Sequence, residues 1–372
     1  MRRGGMGSAI PKTACMEAAR AENRYFVIPP RSSDTIAWNP FDPEDLPVPD
    51  CAYLGRVLAA MEQSAAIRGF TFYLTSNLET LPSYGAEVVV VHISDEWCSV
   101  PRYARKVRAI FKTYGTTLHI HWGALLHPTL YDLAALAQDL RTSARRLPAV
   151  LDALLASLQR KEPRARIHSI PLGYYRQMAI PFVEIEKRAF DVYFAGSIAN
   201  NSSKTARPAT RLTPKYLSRK QMLDRLNKLA VQNPQFAIAT SLTASFLETT
   251  DDEFTRYSKA MMETKICLVP RGTSLETYRF FEGLRSGCVV VCERLPHRWF
   301  YDGSPAIAIR SWSELDRLIP ALLEDPAKLG ELSRASLRWW SQYCSEEALG
   351  AYIAERIDLG PSAVLGTDRA TG

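Results

Sequence analysis

The chain has 372 residues, 47% hydrophobic and 23% charged, which is enough apolar material for two cores and excludes repeat or low-complexity architectures. A net charge of +7 and a pI near 9.0 favour anionic partners such as nucleotide diphosphates, acidic glycans, membrane surfaces or nucleic acid, without choosing among them. Seven cysteines, odd in number and without a C-x-x-C pair, read as reduced thiols and imply a cytosolic compartment.

The first 23 residues have no apolar run long enough for a signal region or membrane span. Six prolines between 29 and 50 predict an extended or disordered lead-in over 1–50, outside any core. A first domain is expected over 51–185, with a helix at 51–67 and strands at 70–74 and 87–93. The second strand ends at Ser94, Asp95 and Glu96. Carboxylates at a strand's carboxyl end are placed to meet a substrate, and Asp95 or Glu96 is the candidate general base. The plainer reading is a helix cap or an ion pair with Arg102, Arg105 or Lys106. His119 and His121 would share one face of a strand at 118–122. Two histidines are too few for a zinc shell unless His92 or Asp95 joins them, so neither metal nor cofactor is expected. Residues 129–158 read as one or two helices with Pro148 as a break, and the basic run 160–166 as a solvated face. A strand at 167–170 leads to a turn in which Gly173 could let a donor approach the backbone or simply turn the chain.

A second domain is expected over 186–344. A strand at 191–195 enters Gly196 and Ser197, then a polar loop with Asn200, Asn201, Ser202, Ser203, Lys204 and Arg207 that suits phosphate. Helix 217–231 carries Arg219 and Arg225, read as exposed charges. A strand at 236–240 and a helix at 252–263 follow, the latter capped by Asp251 and Asp252. The central unit is a strand at 265–269, a turn at Pro270, Arg271 and Gly272, a capping box of Thr273 and Glu276 opening a helix that ends at Gly287, and a strand at 288–292. That β-loop-α-β order belongs to a parallel sheet, whose ligands sit outside the carboxyl ends of the strands. Arg279 and Glu282 share a helical face, either as phosphate and diol ligands or as an exposed ion pair. A strand at 306–309, helices at 313–324 and 327–343, a last helix over 345–359 packing back on the first domain, and a disordered tail at 360–372 complete the reading.

The stretch Cys267–Val291 resembles the donor-binding region of exostosin-like glycosyltransferases, especially the ribitol xylosyltransferase family, with Val290 in place of a usual proline. Segments 91–98, 170–174, 194–197 with 201–204, and 309–315 resemble family segments in the same order, so the resemblance covers about residues 85–345. It implies an α/β protein of the GT-B kind, with two Rossmann-like domains facing each other across a cleft, the first for acceptor and the second for nucleotide sugar. It further implies an inverting transfer from a UDP-linked donor, in its most specific form xylose, to a glycan or polyol-phosphate acceptor in surface polysaccharide or glycoconjugate synthesis. Glu282 would hold the ribose, and Arg279 and Arg271 the diphosphate. Gly272, Thr273, Glu276, Tyr278, Gly173, Gly196 and Ser197 would complete a donor site exposed in the cleft, without metal. The family's animal members carry a membrane helix; the lack of one here implies a cytoplasmic relative, with room for peripheral association at the inner face of the membrane. Another nucleotide-using α/β enzyme, such as an epimerase or sulfotransferase, and a non-catalytic basic binding module are the other classes. No nucleic-acid-binding motif stands in the sequence.

Overall fold

A computed structural model describes residues 22–30, 32, 34–42, 52–64, 67–117, 129–158, 166–175, 177–198, 212–243 and 251–358. Two sheets organise it. The first contains β1 (Arg24–Ile28), β2 (Ile36–Ala37), β3 (Thr71–Thr75), β4 (Gly85–His92), β5 (Val107–Lys112) and β6 (Arg166–Ser169), in the order β2-β1-β3-β4-β5-β6. All neighbours pair in parallel except the short edge strand β2. The second contains β7 (Phe190–Gly196), β8 (Ile238–Leu242), β9 (Thr264–Val269), β10 (Val289–Glu293) and β11 (Ile307–Ile309), wholly parallel in the order β11-β10-β9-β7-β8.

Both faces of each sheet are covered, so their strands read as continuous β-branched runs and not as alternating ones. In β4, Val88 and Val90 enter one core, while Val89 and Val91 enter another on the opposite face. The second of these cores runs on into the second sheet through Tyr174, Trp340 and Phe280 to Cys267 and Val290. The two α/β units are therefore joined by shared apolar packing, each fully buried aliphatic side chain contributing about 1.5–3 kcal/mol.

The helices are α1 (Ala52–Ser64), α2 (Leu130–Leu158), α3 (Pro214–Gln232), α4 (Asp251–Met262), α5 (Tyr278–Arg285), α6 (Leu315–Leu323), α7 (Pro326–Trp339) and α8 (Glu346–Asp358). α8 returns to the first unit and packs on α1. The Tyr53 hydroxyl donates to Cys344 O at 2.6 Å, and the Arg108 guanidinium holds Ile357 O at 2.8 Å.

Three readings of the sequence need correction. The proline-rich lead-in does not stay outside the core: β1 pairs with β3 over its whole length and buries Tyr25, Val27 and Ile28. Its apolar run Tyr25–Ile28 is masked in the sequence by the prolines that follow. β5 fills the place between β4 and β6, where the sequence reading names no strand; the strand expected at 118–122 lies outside the described residues. α2 is one helix of 29 residues through Pro148. Proline removes only one backbone bond, and a helix this long keeps the others. The polar loop from 199 to 211, the basic run before Arg166 and the tail beyond 358 also lie outside the described residues.

Candidate functional site

Where strand order reverses in a parallel sheet, the loops leaving the two strands diverge and open a crevice. In the second sheet this happens between β7 and β9, whose first partners β8 and β10 lie on opposite sides. A cavity of about 580 Å³ sits there, lined by Gly196 and Ser197 after β7 and by Gly272 and Thr273 after β9. Glu96 and Tyr114, from the carboxyl ends of β4 and β5, line it from the first unit.

Three cations converge on one end: Lys215 and Arg219 from α3 and Arg279 from α5. Lys215 Nζ donates to Ser197 Oγ at 3.2 Å. Arg219 donates from Nε to Arg271 O at 3.0 Å and from Nη1 to Ser197 O. Arg279 donates from Nη2 to Ala195 O, and its guanidinium lies 4.8 Å from the centroid of the Phe194 ring. Burial, then the neighbouring Arg219, draws the Lys215 ammonium down to about 8; burial, then Arg279, lowers Arg219 as well. Like charges held in a poorly solvated wall are relieved by an anion. Arg279 Nε and Thr277 Oγ1 are both inaccessible to water and have no hydrogen-bond partner among the described residues. The other part of the wall is aromatic, with Tyr175 5.7 Å from both Phe254 and Tyr278 between ring centroids.

The two carboxylates after β4 part ways. Asp95 does not line the cavity. Its oxygens take the Lys112 ammonium at 3.0 Å and the backbone N–H groups of Trp97 at 3.2 Å and Ser99 at 2.6 Å. Burial works against the charged form, but Lys112 and these donors outweigh it and hold the carboxyl below its ordinary value. Asp95 thus fixes the loop that carries Glu96, with Ser94 and Cys98 in left-handed conformations on either side. Glu96 faces the cavity, hydrogen-bonded to Thr273, and burial raises its carboxyl against the opposing pull of Thr273 and the Lys215 and Arg219 charges.

The central turn also differs from expectation. Thr273 and Glu276 form no capping box: α5 begins at Tyr278, and the Glu276 carboxylate is taken by the Arg298 guanidinium at 2.6 Å. A buried charge recruits a full counter-charge in preference to a backbone N–H. Glu276 and Tyr278 line the cavity, as do Gly272, Thr273, Gly196 and Ser197; Arg271 does not. Arg271 is buried, with Nη2 on Thr273 O at 3.2 Å, its backbone N–H on Glu293 at 2.7 Å and its side chain hydrogen-bonded to Tyr131. Gly173 likewise does not line the cavity; at φ +68° it turns the chain where a Cβ would overlap the Tyr53 ring. Nor do the expected donor groups stand exposed. Glu282 is 4% exposed, its Oε1 accepting the Tyr175 N–H at 3.0 Å and Oε2 the Tyr257 hydroxyl at 2.5 Å, and burial raises its carboxyl. It still lines the cavity, and each oxygen keeps a second lone pair.

In the sequence Lys215 is not singled out, and Arg219 reads as an exposed charge. The signal was present: positions 215, 219, 222, 226 and 229 follow helical spacing, and Met222, Leu226 and Leu229 are buried. Arg225, read in the same way, does lie at the surface, 3.3 Å from Asp316. His92 is fully buried and neutral, drawn down to about 3 by burial and then by Lys112. His119 and His121 lie outside the described residues, among which no group of three His, Cys, Asp or Glu is placed to share a metal.

The chain is an α/β protein of two parallel-sheet units meeting at a cavity, the arrangement called GT-B. No family model and no curated protein matches the sequence. Among solved structures it is similar to the GtfA/B complex, at 12% identity over 74% of this chain and 57% of that one, with a TM-score of 0.39. It is similar also to the spinosyn forosaminyltransferase SpnP, at 12% identity over 73% of this chain and 76% of that one, with a TM-score of 0.35. A third likeness is to the glycosyltransferase SnogD from Streptomyces nogalater, at 11% identity over 83% and 77% of the two chains and a TM-score of 0.32. The chain spans little more than half the length of the first of these.

Proposed function

We propose that this protein is a glycosyltransferase that binds a nucleoside diphosphate sugar in the cavity at the β7/β9 crevice. The observation that carries the reading is the convergence of Lys215, Arg219 and Arg279 on one end of a cavity whose lining also includes Tyr175, Phe254, Tyr257, Tyr278, Glu96 and Glu282. Two linked phosphates match the cations, a nucleobase the rings, and a ribose diol the Glu282 oxygens. Arg279 Nε and Thr277 Oγ1 would gain the partners they lack. From the first unit, Glu96 takes the proton from an acceptor hydroxyl as its oxygen attacks the anomeric carbon. The bond from that carbon to the β-phosphate oxygen breaks, and the cations stabilise the departing diphosphate. Attack from the face opposite the leaving group inverts the anomeric centre. The resemblance in motif order supports a UDP-linked donor, with xylose transfer to a polyol phosphate as its most specific form.

The direct test is a thermal-shift series with UDP, UDP-sugars, other nucleoside diphosphates and an oligonucleotide. A nucleoside diphosphate at a hundred times its Kd should stabilise the native state by about 2.7 kcal/mol. Stabilisation by the oligonucleotide alone would sink the reading.

A pH profile tests Glu96. Because its working form is the carboxylate and burial raises its pKa, transfer should increase with pH through a value above the ordinary glutamate range. Stability runs the other way: the fold favours the protonated group, so its contribution is full below the unfolded pKa and is lost as pH rises through the folded one. Glu96→Gln should lower kcat about 10²–10⁴-fold and abolish the acidic limb. An unchanged limb in that variant would assign the base elsewhere.

A further inference from the structure

Three carboxylates are buried among the described residues, Asp95, Glu276 and Glu282, and the third is partnered unlike the others. Asp95 takes the Lys112 ammonium and Glu276 the Arg298 guanidinium, so each meets a full counter-charge. The hydrogen bonds that Glu282 accepts come from neutral groups, the Tyr257 hydroxyl on Oε2 at 2.5 Å and the Tyr175 backbone N–H on Oε1 at 3.0 Å. They belong to different elements: Tyr257 stands on α4, and Tyr175 on the segment that joins β6 to β7. With one donor on each oxygen, the carboxylate is fixed against rotation about its terminal bond. Burial raises its carboxyl, and the first group opposing that is Tyr257, ahead of the Tyr175 N–H, Arg279 and Arg285. The guanidinium groups of those two arginines are hydrogen-bonded elsewhere, to Ala195 O and to Gln177 Oε1.

Burial, then the Glu282 charge, keeps the Tyr257 hydroxyl well above the ordinary tyrosine range, so it remains a donor. We propose that Tyr257 is a positioning residue for ribose: by holding Oε2 it aims the remaining lone pairs of Glu282 at a vicinal diol and makes the cavity select ribonucleotides. This rests on the reading of the cavity as a nucleoside diphosphate site. Each carboxylate oxygen has two acceptor positions, and the protein fills one on each. The two that are left match two neighbouring hydroxyls. A sugar without them would leave buried acceptors unpaired, and that penalty is the source of the selection. The Tyr257 ring also lines the cavity, so its wall and its hydrogen bond have to be separated. Tyr257→Phe does so, because it keeps the ring and removes only the hydroxyl.

Equilibrium binding of UDP, CDP, ADP and GDP, each beside its 2′,3′-dideoxy counterpart, tests this in the parent and in Tyr257→Phe. For the nucleotide that binds, the parent should hold the ribose form at least about tenfold tighter than the dideoxy form, as expected for hydrogen bonds to a charged group. The variant should weaken the ribose form at least about fivefold and leave the dideoxy form within about twofold. In a Glu282→Gln background the same substitution should change ribose binding by less than about twofold, because Tyr257 acts through that carboxylate. If the parent bound none of the four diphosphates, the transferase reading would fall and this inference with it. Binding by the parent without preference for the ribose form would overturn this inference alone. So would a Tyr257→Phe variant that binds both forms as the parent does, or one that weakens both alike, which would leave Tyr257 as part of the wall.

Discussion

Replacing Arg279 by alanine is expected to lower kcat/KM about 10²–10³-fold, the loss that follows removal of one group stabilising charge that develops in a transition state. Arg279 is placed for that effect by two restraints: its Nη2 is held by Ala195 O at the end of β7, and its guanidinium plane lies against Phe194. The side chain therefore reaches the cavity in a fixed geometry and meets the leaving group without reorganisation. The accompanying loss of stability should be small, about 1 kcal/mol from the ring contact. Arg279→Lys retains a charge but not the fork, and should recover only part of the rate. The measurement is steady-state kinetics beside a thermal melt. Full activity in the alanine variant would place the diphosphate elsewhere.

Replacing Arg298 by methionine is expected to give the largest loss of stability, about 3–5 kcal/mol, because it leaves the Glu276 carboxylate buried without a counter-charge. The Arg298 Nε lies 3.0 and 3.1 Å from the two Glu276 oxygens, and Nη2 lies 2.6 Å from one of them. The same guanidinium donates to Tyr114 O at 2.5 Å and to Ser169 Oγ at 3.3 Å, both in the first unit. Burial alone would lower the arginine pKa; Glu276 more than offsets it and raises it. One side chain thus joins the turn after β9 to the ends of β5 and β6. The single variant should melt several degrees lower, and Arg298→Met combined with Glu276→Gln should lose less than the single variant, since no unpaired charge remains. A melting temperature equal to that of the parent would show the junction to depend on apolar packing alone.

Much of this was legible in the chain. Apolar runs ending in turns marked β3, β4, β7, β9 and β10, because a strand buried on both faces has no other composition available to it. Spacing put Arg279 and Glu282 on one face of α5, and both line the cavity. The same periodicity would have placed Lys215 and Arg219 beside Met222 on the inner face of α3.

Partner choice was not legible. Asp95 and Glu96 are adjacent in sequence and chemically alike, yet one is consumed by Lys112 and the other faces the cavity. Glu276 sits at capping distance from Thr273 and pairs instead with an arginine 22 residues further on. Arg271 stands on the expected turn and points away from the cavity. The sequence by itself determined most of the elements, the parallel α/β class and the turn after β9 beside which a ligand site forms, because these follow from local periodicity and turn chemistry. Only the tertiary structure decided which charges are spent on each other and which remain for a ligand. Ion pairing acts through space, and residues distant along the chain compete for the same carboxylate on equal terms with its neighbours.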